Sequence, residues 1–450
     1  MKRVLALILV LSMMTVGCGN QTQDPVEKPT EPEKMVEESG DDENQQEEEN
    51  SETEQAEEEA TTVTIENGKT ALAAYLPLTG NMMQFGTSIQ RGMELAVKHW
   101  NQDNGGINGQ EVVIDFYDDK GDTTESVNVA NLIAADKDKY IAAMGSFSSP
   151  CAMAAAPIFE ESKLLMFSPT GSHPDFCKLG DYIYAIAMTG KYEHMLYAKI
   201  ATEELEGKNV GFIGAQSDTT DLGINLLEAK CEETGANLYK ELFVAGTTKD
   251  FTPVISSLFN QGDIDVILIS GDYSTVASIV LQMDSLGLKD DDLKILGTGQ
   301  CAMEEFLDIV GDTGENIYVV TSAPVYFPSI IESMNVTPTL ERFINDYSAE
   351  YNEIADAFAG QAYDTVMAVL NCVKEYQTTD SEILKDHVGE LVGLDEPCSG
   401  DSLEYDMELR QMVKPMAMYQ IVDGEFVIFK SGSTSLTEKE RETATEIAGY

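Results

Sequence analysis

Two short loops carry residue types that can bind an anion. The first, Gly145-Ser146-Phe147-Ser148-Ser149, follows an apolar run from Tyr140 to Met144 and precedes a helical pattern. The second, Ser168-Pro169-Thr170-Gly171-Ser172, follows an apolar run from Leu164 to Phe167. The first N–H groups of a helix have no partner within it, and beside serine hydroxyls they make a site for a carboxylate. Serines in such places also serve simply as turn and cap residues. A third loop, Asp272-Tyr273, follows the run Asp265 to Ile269 and offers a carboxylate for an ammonium group and a phenol hydroxyl. No complete catalytic set accompanies these loops. Gly-Ser-Phe-Ser-Ser lacks the second glycine of a nucleophile elbow. His99, His173, His194 and His387 have no ligand spacing, and the cysteines show no C-x-x-C pair. Gly297-Thr298-Gly299-Gln300-Cys301-Ala302 matches a dinucleotide pattern, which alone in mid-chain is weak. The residues point to a binding protein without cofactor or metal, not to an enzyme.

These loops need a frame that brings strand ends together. A strand from Thr70 to Tyr75, a helix around Gln90 to Val97, a turn on Gly105-Gly106-Ile107-Asn108-Gly109 and a strand from Val112 to Tyr117 make one βαβ unit. Helix 122–136, strand 140–144, helix 151–161 and strand 164–167 continue the alternation. A second series runs from strand 209–214 through helix 221–234, strand 238–243, helix 250–260, strand 265–269 and helix 274–286 to strand 294–296. Short, wholly apolar strands are those of parallel sheets covered on both faces. The pattern predicts an α/β protein of two doubly wound lobes, with ligands at the carboxyl ends of the strands. Ile317 to Thr321 reads as a strand running back. Helices 339–351 and 360–376 and strands 415–422 and 425–429 follow.

The chain has 450 residues and a formal net charge of −51. So acidic a chain repels nucleic acid and anionic lipid. Met1-Lys2-Arg3, an apolar run from Val4 to Val10 and Thr15-Val16-Gly17-Cys18 make a secretory signal peptide. Its end resembles a bacterial lipobox, which implies cleavage before Cys18 and a diacylglycerol on its sulfur. Residues 21–60 then hold 17 Asp or Glu against Lys28 and Lys34, a composition that cannot bury a core and reads as an extended tether. Six further cysteines remain, free to pair in an exported chain or to stay buried as thiols.

Leu76-Pro77-Leu78-Thr79-Gly80, the glycine turn at 105–109 and Asp118-Asp119 together resemble the start of the solute-binding proteins of branched-chain amino-acid ABC transporters. The resemblance covers about Lys69 to Phe429. It implies the type 1 periplasmic binding protein fold: two parallel-sheet lobes joined by a three-strand hinge. By that pattern, residues 1–18 are the signal with its lipobox and 19–66 the tether. Lobe 1 takes 67–189 and 323–410, and lobe 2 takes 190–322 and 411–450. The resemblance also implies that Ser149 donates to a ligand carboxylate, that Thr170 gives its carbonyl and Ser172 its hydroxyl, with Gly171 between them. Phe85 stands where the family keeps an aromatic against the ligand, and Thr219 where it often has a ligand-facing Tyr. Asp272 and Tyr273 would close from the second lobe. One departure is plain: the family's acid after Leu296 is replaced by Gly297-Thr298-Gly299-Gln300, which leaves Asp272 as the substitute or the ligand without an ammonium. The partners implied are a small amino acid or related carboxylate, an ABC permease and the membrane, through a lipid anchor on the extracytoplasmic face. A ligand sensor of the same fold is the alternative, and an exported hydrolase a distant one.

Overall fold

The computed structural model describes residues 63–322, 326–332, 336–391, 393–400, 403 and 405–449. The signal segment, Cys18 and the tether up to residue 62 lie outside the described residues.

The first sheet is built from β1 (Ala71–Leu76), β2 (Val113–Asp118), β3 (Tyr140–Gly145), β4 (Met166–Ser168) and β5 (Ile183–Ala185). Helices α1 (Met83–Asn104), α2 (Thr123–Ala135) and α3 (Ser149–Ser162) alternate with them. Strand order is β2-β1-β3-β4-β5, all parallel. Every residue of β1 and β3 is buried, as their unbroken apolar sequences require of central strands covered by helices on both faces. The turn after α1 is set by glycine: Gly105 ends the helix at φ 65°, and a Cβ on Gly106 would lie 2.0 Å from the Gln110 carbonyl oxygen.

Helices α4 (Gly190–Lys199), α5 (Asp218–Thr234), α6 (Thr252–Phe259), α7 (Tyr273–Ser285) and α8 (Glu304–Val310) belong with the second series of strands. Those strands are β6 (Asn209–Ala215), β7 (Asn237–Phe243), β8 (Val266–Ser270), β9 (Lys294–Gly297) and β10 (Ile317–Thr321). Helices α9 (Pro328–Ile331), α10 (Pro338–Tyr351), α11 (Ala357–Tyr376) and α12 (Ser381–His387) lead to the short strands β11 (Tyr405–Asp406) and β12 (Gln411–Met412). The chain ends with β13 (Met416–Val422), β14 (Glu425–Thr434) and α13 (Glu438–Ala448). The second sheet has the order β14-β13-β10-β9-β8-β6-β7. The fold is thus α/β with two mostly parallel sheets.

Two expectations are corrected. Ile317–Thr321 does not run back: β10 lies parallel to β9, and the reversal comes at the next strand of the sheet, where β13 pairs antiparallel with β10. The folded part also begins before residue 67. Val63 bridges to Ile107, and Val63 and Ile65 are buried in the core of the first lobe, so alternating apolar residues end the tether early. Asn108 clamps this entry, its side chain exchanging hydrogen bonds with Ile65 N and O at 2.7 and 2.8 Å.

Helices α10 and α11 return to pack on α1, and the chain passes between the sheets after β5, after β10 and after β12. The first and last crossings run side by side, bridged at Met188 and Met412. Trp100, the one tryptophan, is fully buried in the core of the first lobe among α1, α10 and α11. The six cysteines after Cys18 are all free and buried.

Candidate ligand cleft

Both sheets change winding direction once, the first between β1 and β3 and the second between β6 and β8. Loops diverge at such a point and leave a crevice outside the strand ends. In lobe 1 two adjacent acids shape its rim. Asp118 holds the turn after β1, accepting from Leu78 N at 2.9 Å, Thr79 N at 3.2 Å and Thr79 Oγ1 at 2.5 Å. These bonds outweigh its partial burial and keep its pKa below the usual range. Asp119 is fully buried and holds the loop after β3 by accepting from Ser146 Oγ, with Gly121 N at 2.9 Å on its other side. Burial raises its pKa, against the pull of those donors. The close approach of β1 and β3 demands Gly145: at φ 135°, a Cβ there would lie 2.1 Å from the Tyr75 carbonyl oxygen.

The loops after β3 and β4 are joined to each other. Thr170 Oγ1 donates to the carbonyl of Phe147 at 2.8 Å and of Ser146 at 3.2 Å. Ser168 Oγ accepts from Gly171 N at 2.9 Å, and the Gly171 carbonyl accepts from Gln411 Nε2 at 3.1 Å, on the last crossing. Ser149 is the first residue of α3, whose N-cap Ser148 makes no capping bond. The Ser149 and Ser172 side chains are half-buried and make no hydrogen bond to the described residues. The structure therefore sorts the sequence candidates of lobe 1. The side chain of Thr170 and the backbone of Gly171 brace the loops, while the hydroxyls of Ser149 and Ser172 remain available beside an uncapped helix start.

Beside these loops, on the same lobe, stands a cluster of aromatic rings. Phe85 stacks on Phe147 with centroids 4.4 Å apart and planes within 6°. Phe358, in the first turn of α11, meets both edge-on at 5.4 and 5.5 Å. Tyr273 approaches Phe85 from lobe 2 at 5.9 Å, and its hydroxyl donates to Gln84 Oε1 of lobe 1. The two lobes thus touch at Tyr273. Phe147, Phe358 and Gln84 join this candidate site, and the sequence reading did not single them out. An aromatic set among serines at a strand exit was the available signal for Phe147.

The other two candidates of lobe 2 are placed differently. Asp272 is the N-cap of α7: Oδ1 accepts from Ser274 N, Thr275 N and Ser274 Oγ at 3.0, 3.1 and 2.6 Å, and Oδ2 from Thr275 Oγ1 at 2.8 Å. Burial opposes the charge, but these bonds lower the pKa overall. The carboxylate is thus engaged by its own helix. Thr219 is exposed on the first turn of α5. No cluster of His, Cys, Asp and Glu among the described residues could hold a metal. Nor is any described helix long and apolar enough to cross a membrane.

The periplasmic binding protein family model matches residues 70–425. The chain belongs to that family. Among curated relatives it is similar to Leu/Ile/Val-binding protein homolog 1 of Brucella melitensis, 29% identical over 48% of this chain and 57% of the relative. The chain thus spans somewhat over half the length of that relative. Solved structures share the type 1 fold. The branched-chain amino acid transporter substrate binding protein LivJ of Streptococcus pneumoniae, in complex with isoleucine, aligns with a TM-score of 0.67 at 23% identity, covering 80% of this chain and 97% of LivJ. An ABC transporter solute binding protein of R. palustris, in complex with 4-hydroxybenzoate, aligns with a TM-score of 0.69 at 18% identity, covering 83% of this chain and 97% of its own.

Proposed function

We propose that this family member captures a small carboxylate-bearing solute, an amino acid or close relative, and delivers it to an ABC permease. The observation that carries the reading is the pair of free hydroxyls, Ser149 and Ser172, on loops tied together at the start of α3. Backbone N–H groups and hydroxyls in that arrangement suit a carboxylate. The cluster of Phe85, Phe147 and Phe358 suits an apolar side chain, with Tyr273 closing over it. Closure about the three crossings would bury the solute between lobes. Cys18, lipidated, and the acidic tether would keep the domain at the outer face of the cell membrane within reach of the permease.

The relatives named above point the same way: one carries the name of a Leu/Ile/Val-binding protein, and LivJ was solved with isoleucine. A second reading, an aromatic acid, is favoured by the ring cluster and by the fold neighbour that holds 4-hydroxybenzoate. The test is titration calorimetry on the Ser149→Ala and Ser172→Ala variants. A hydrogen bond to a charged group contributes about 1.5–3 kcal/mol. Each variant should therefore bind roughly ten- to a hundredfold more weakly, with an unchanged melting temperature. Unaltered affinity in both would remove the carboxylate site.

A further inference from the structure

We propose that Glu193 receives the ammonium group of the solute, which makes the ligand an amino acid and not a plain carboxylic acid. The inference rests on the carboxylate site at Ser149 and Ser172 and specifies what stands near it.

An ammonium taken out of water needs an anionic acceptor that is not already spent. Most acids around the cleft are spent. Asp118 and Asp119 hold loops, Asp272 caps α7, and Asp356 caps α11 while accepting from Ser88 Oγ. Glu193 differs. It lies half-buried in the first turn of α4. Its carboxylate accepts one hydrogen bond from the described residues, from the Tyr197 hydroxyl at 2.8 Å, and no described cation pairs with it. Burial raises its pKa and the Tyr197 bond only partly offsets that, as for an acid that lacks its counter-charge.

Two ties fix its place. The first residue of α4, Gly190, donates its N–H to the carbonyl of Ser172 at 2.6 Å. One turn beyond Glu193, the Tyr197 hydroxyl accepts from Gly299 N at 3.2 Å, in the loop that leaves β9. Glu193 thus sits between the serine loop of lobe 1 and the exit of β9 in lobe 2, at the floor where the chain crosses between them. The loop after β9, Gly297-Thr298-Gly299, brings no acid of its own, and the crossing helix supplies one. An α-amino acid has its ammonium one carbon from its carboxylate, so an acceptor next to the Ser172 loop meets it without a second, distant site.

The experiment is calorimetry on the purified full-length chain with the twenty standard amino acids and, for each binder, the matching acid without its α-amino group. The wild type should prefer the amino acid. Glu193→Gln should weaken amino-acid binding at least about tenfold while leaving the deaminated acid nearly unchanged. Should that variant fail to fold, Glu193→Asp, which draws the charge back by one carbon, must reduce the preference. Equal affinity of the wild type for both forms, or an unchanged preference in the variant, overturns the assignment. Binding of plain acids alone overturns it too and leaves the Ser149–Ser172 site standing. Binding of neither class overturns that parent reading, and Glu193 with it.

Discussion

The carboxyl ends of the two sheets face one cleft but are built in different ways. In lobe 1 the loops after β1, β3 and β4 are fastened to neighbours by Asp118, Asp119 and Thr170. In lobe 2 the loops after β6 and β8 are capped on their own helices, by Ser217 at α5 and Asp272 at α7, and Thr298 Oγ1 donates to the Gly271 carbonyl at 3.2 Å to tie the loop after β8 to that after β9. A loop fastened from outside is held before the ligand arrives, and a ligand that meets it loses little to ordering. Loops fastened to elements of their own lobe move with that lobe. The contrast suits the proposed function, with lobe 1 presenting the serine hydroxyls and lobe 2 meeting it at Tyr273.

The sharpest way to break this contrast is to unfasten lobe 1. Asp119→Ala should leave the Ser146 hydroxyl and the Gly121 N–H without their acceptor and cost about 3 kcal/mol of stability. Chemical denaturation of purified protein checks this, and a loss under about 0.5 kcal/mol would show the loop holding itself.

Acid should separate two buried carboxylates by sign. Glu440 in lobe 2 caps α13 and pairs with Lys230 and Lys199 at 2.8 and 2.9 Å, and these bonds outweigh its burial and hold its pKa near about 2. A depressed carboxylate contributes stability above its unfolded value, lost as pH falls from about 4.5 towards 2. Burial of nearby His194 lowers its pKa to about 4, so folding also weakens as pH falls from 6.5 to there. Asp119, whose pKa is raised, works the other way and gains protons on folding. Hydrogen exchange by peptide should show α4, α5 and α13 opening before β1 and β3 below about pH 4.5. Simultaneous opening would erase the distinction.

The smallest effect concerns the cap. Asp272→Ala should cost about 1 kcal/mol of stability, as loss of an N-cap does, and leave the preference for amino over deaminated acids intact. Calorimetry beside a melting curve measures both, and a collapsed preference would return the ammonium to Asp272.

What the sequence discloses follows the range of each signal. Parallel strands are read easily because burial on both faces makes them continuous apolar runs, and the serine loops because they abut such strands. The direction of β10 is not written in Ile317–Thr321, since a strand's residues set its faces and not its orientation. Asp272 exposes a real ambiguity: an acid after a strand looks alike whether it meets a ligand or caps a helix. Ser274 and Thr275, two and three residues on, were the sign of the cap. Phe358 and Gln84 meet the site from helices far apart in the chain, and Glu193 reaches it from a crossing, where no local pattern marks a cleft. Val63 and Ile65 were hidden by the acidic run before them.

Trp100 lies on the helix that also carries Phe85, but 15 residues along it, about 22 Å from the cleft end at 1.5 Å per residue. The only indole of the chain is thus sealed in the core of lobe 1. Its emission tracks whether that lobe is folded, and is nearly silent to solute capture and to the approach of the other lobe. A screen that watches intrinsic tryptophan fluorescence would pass over true ligands, whereas a dye placed on α7 beside Tyr273 would register them.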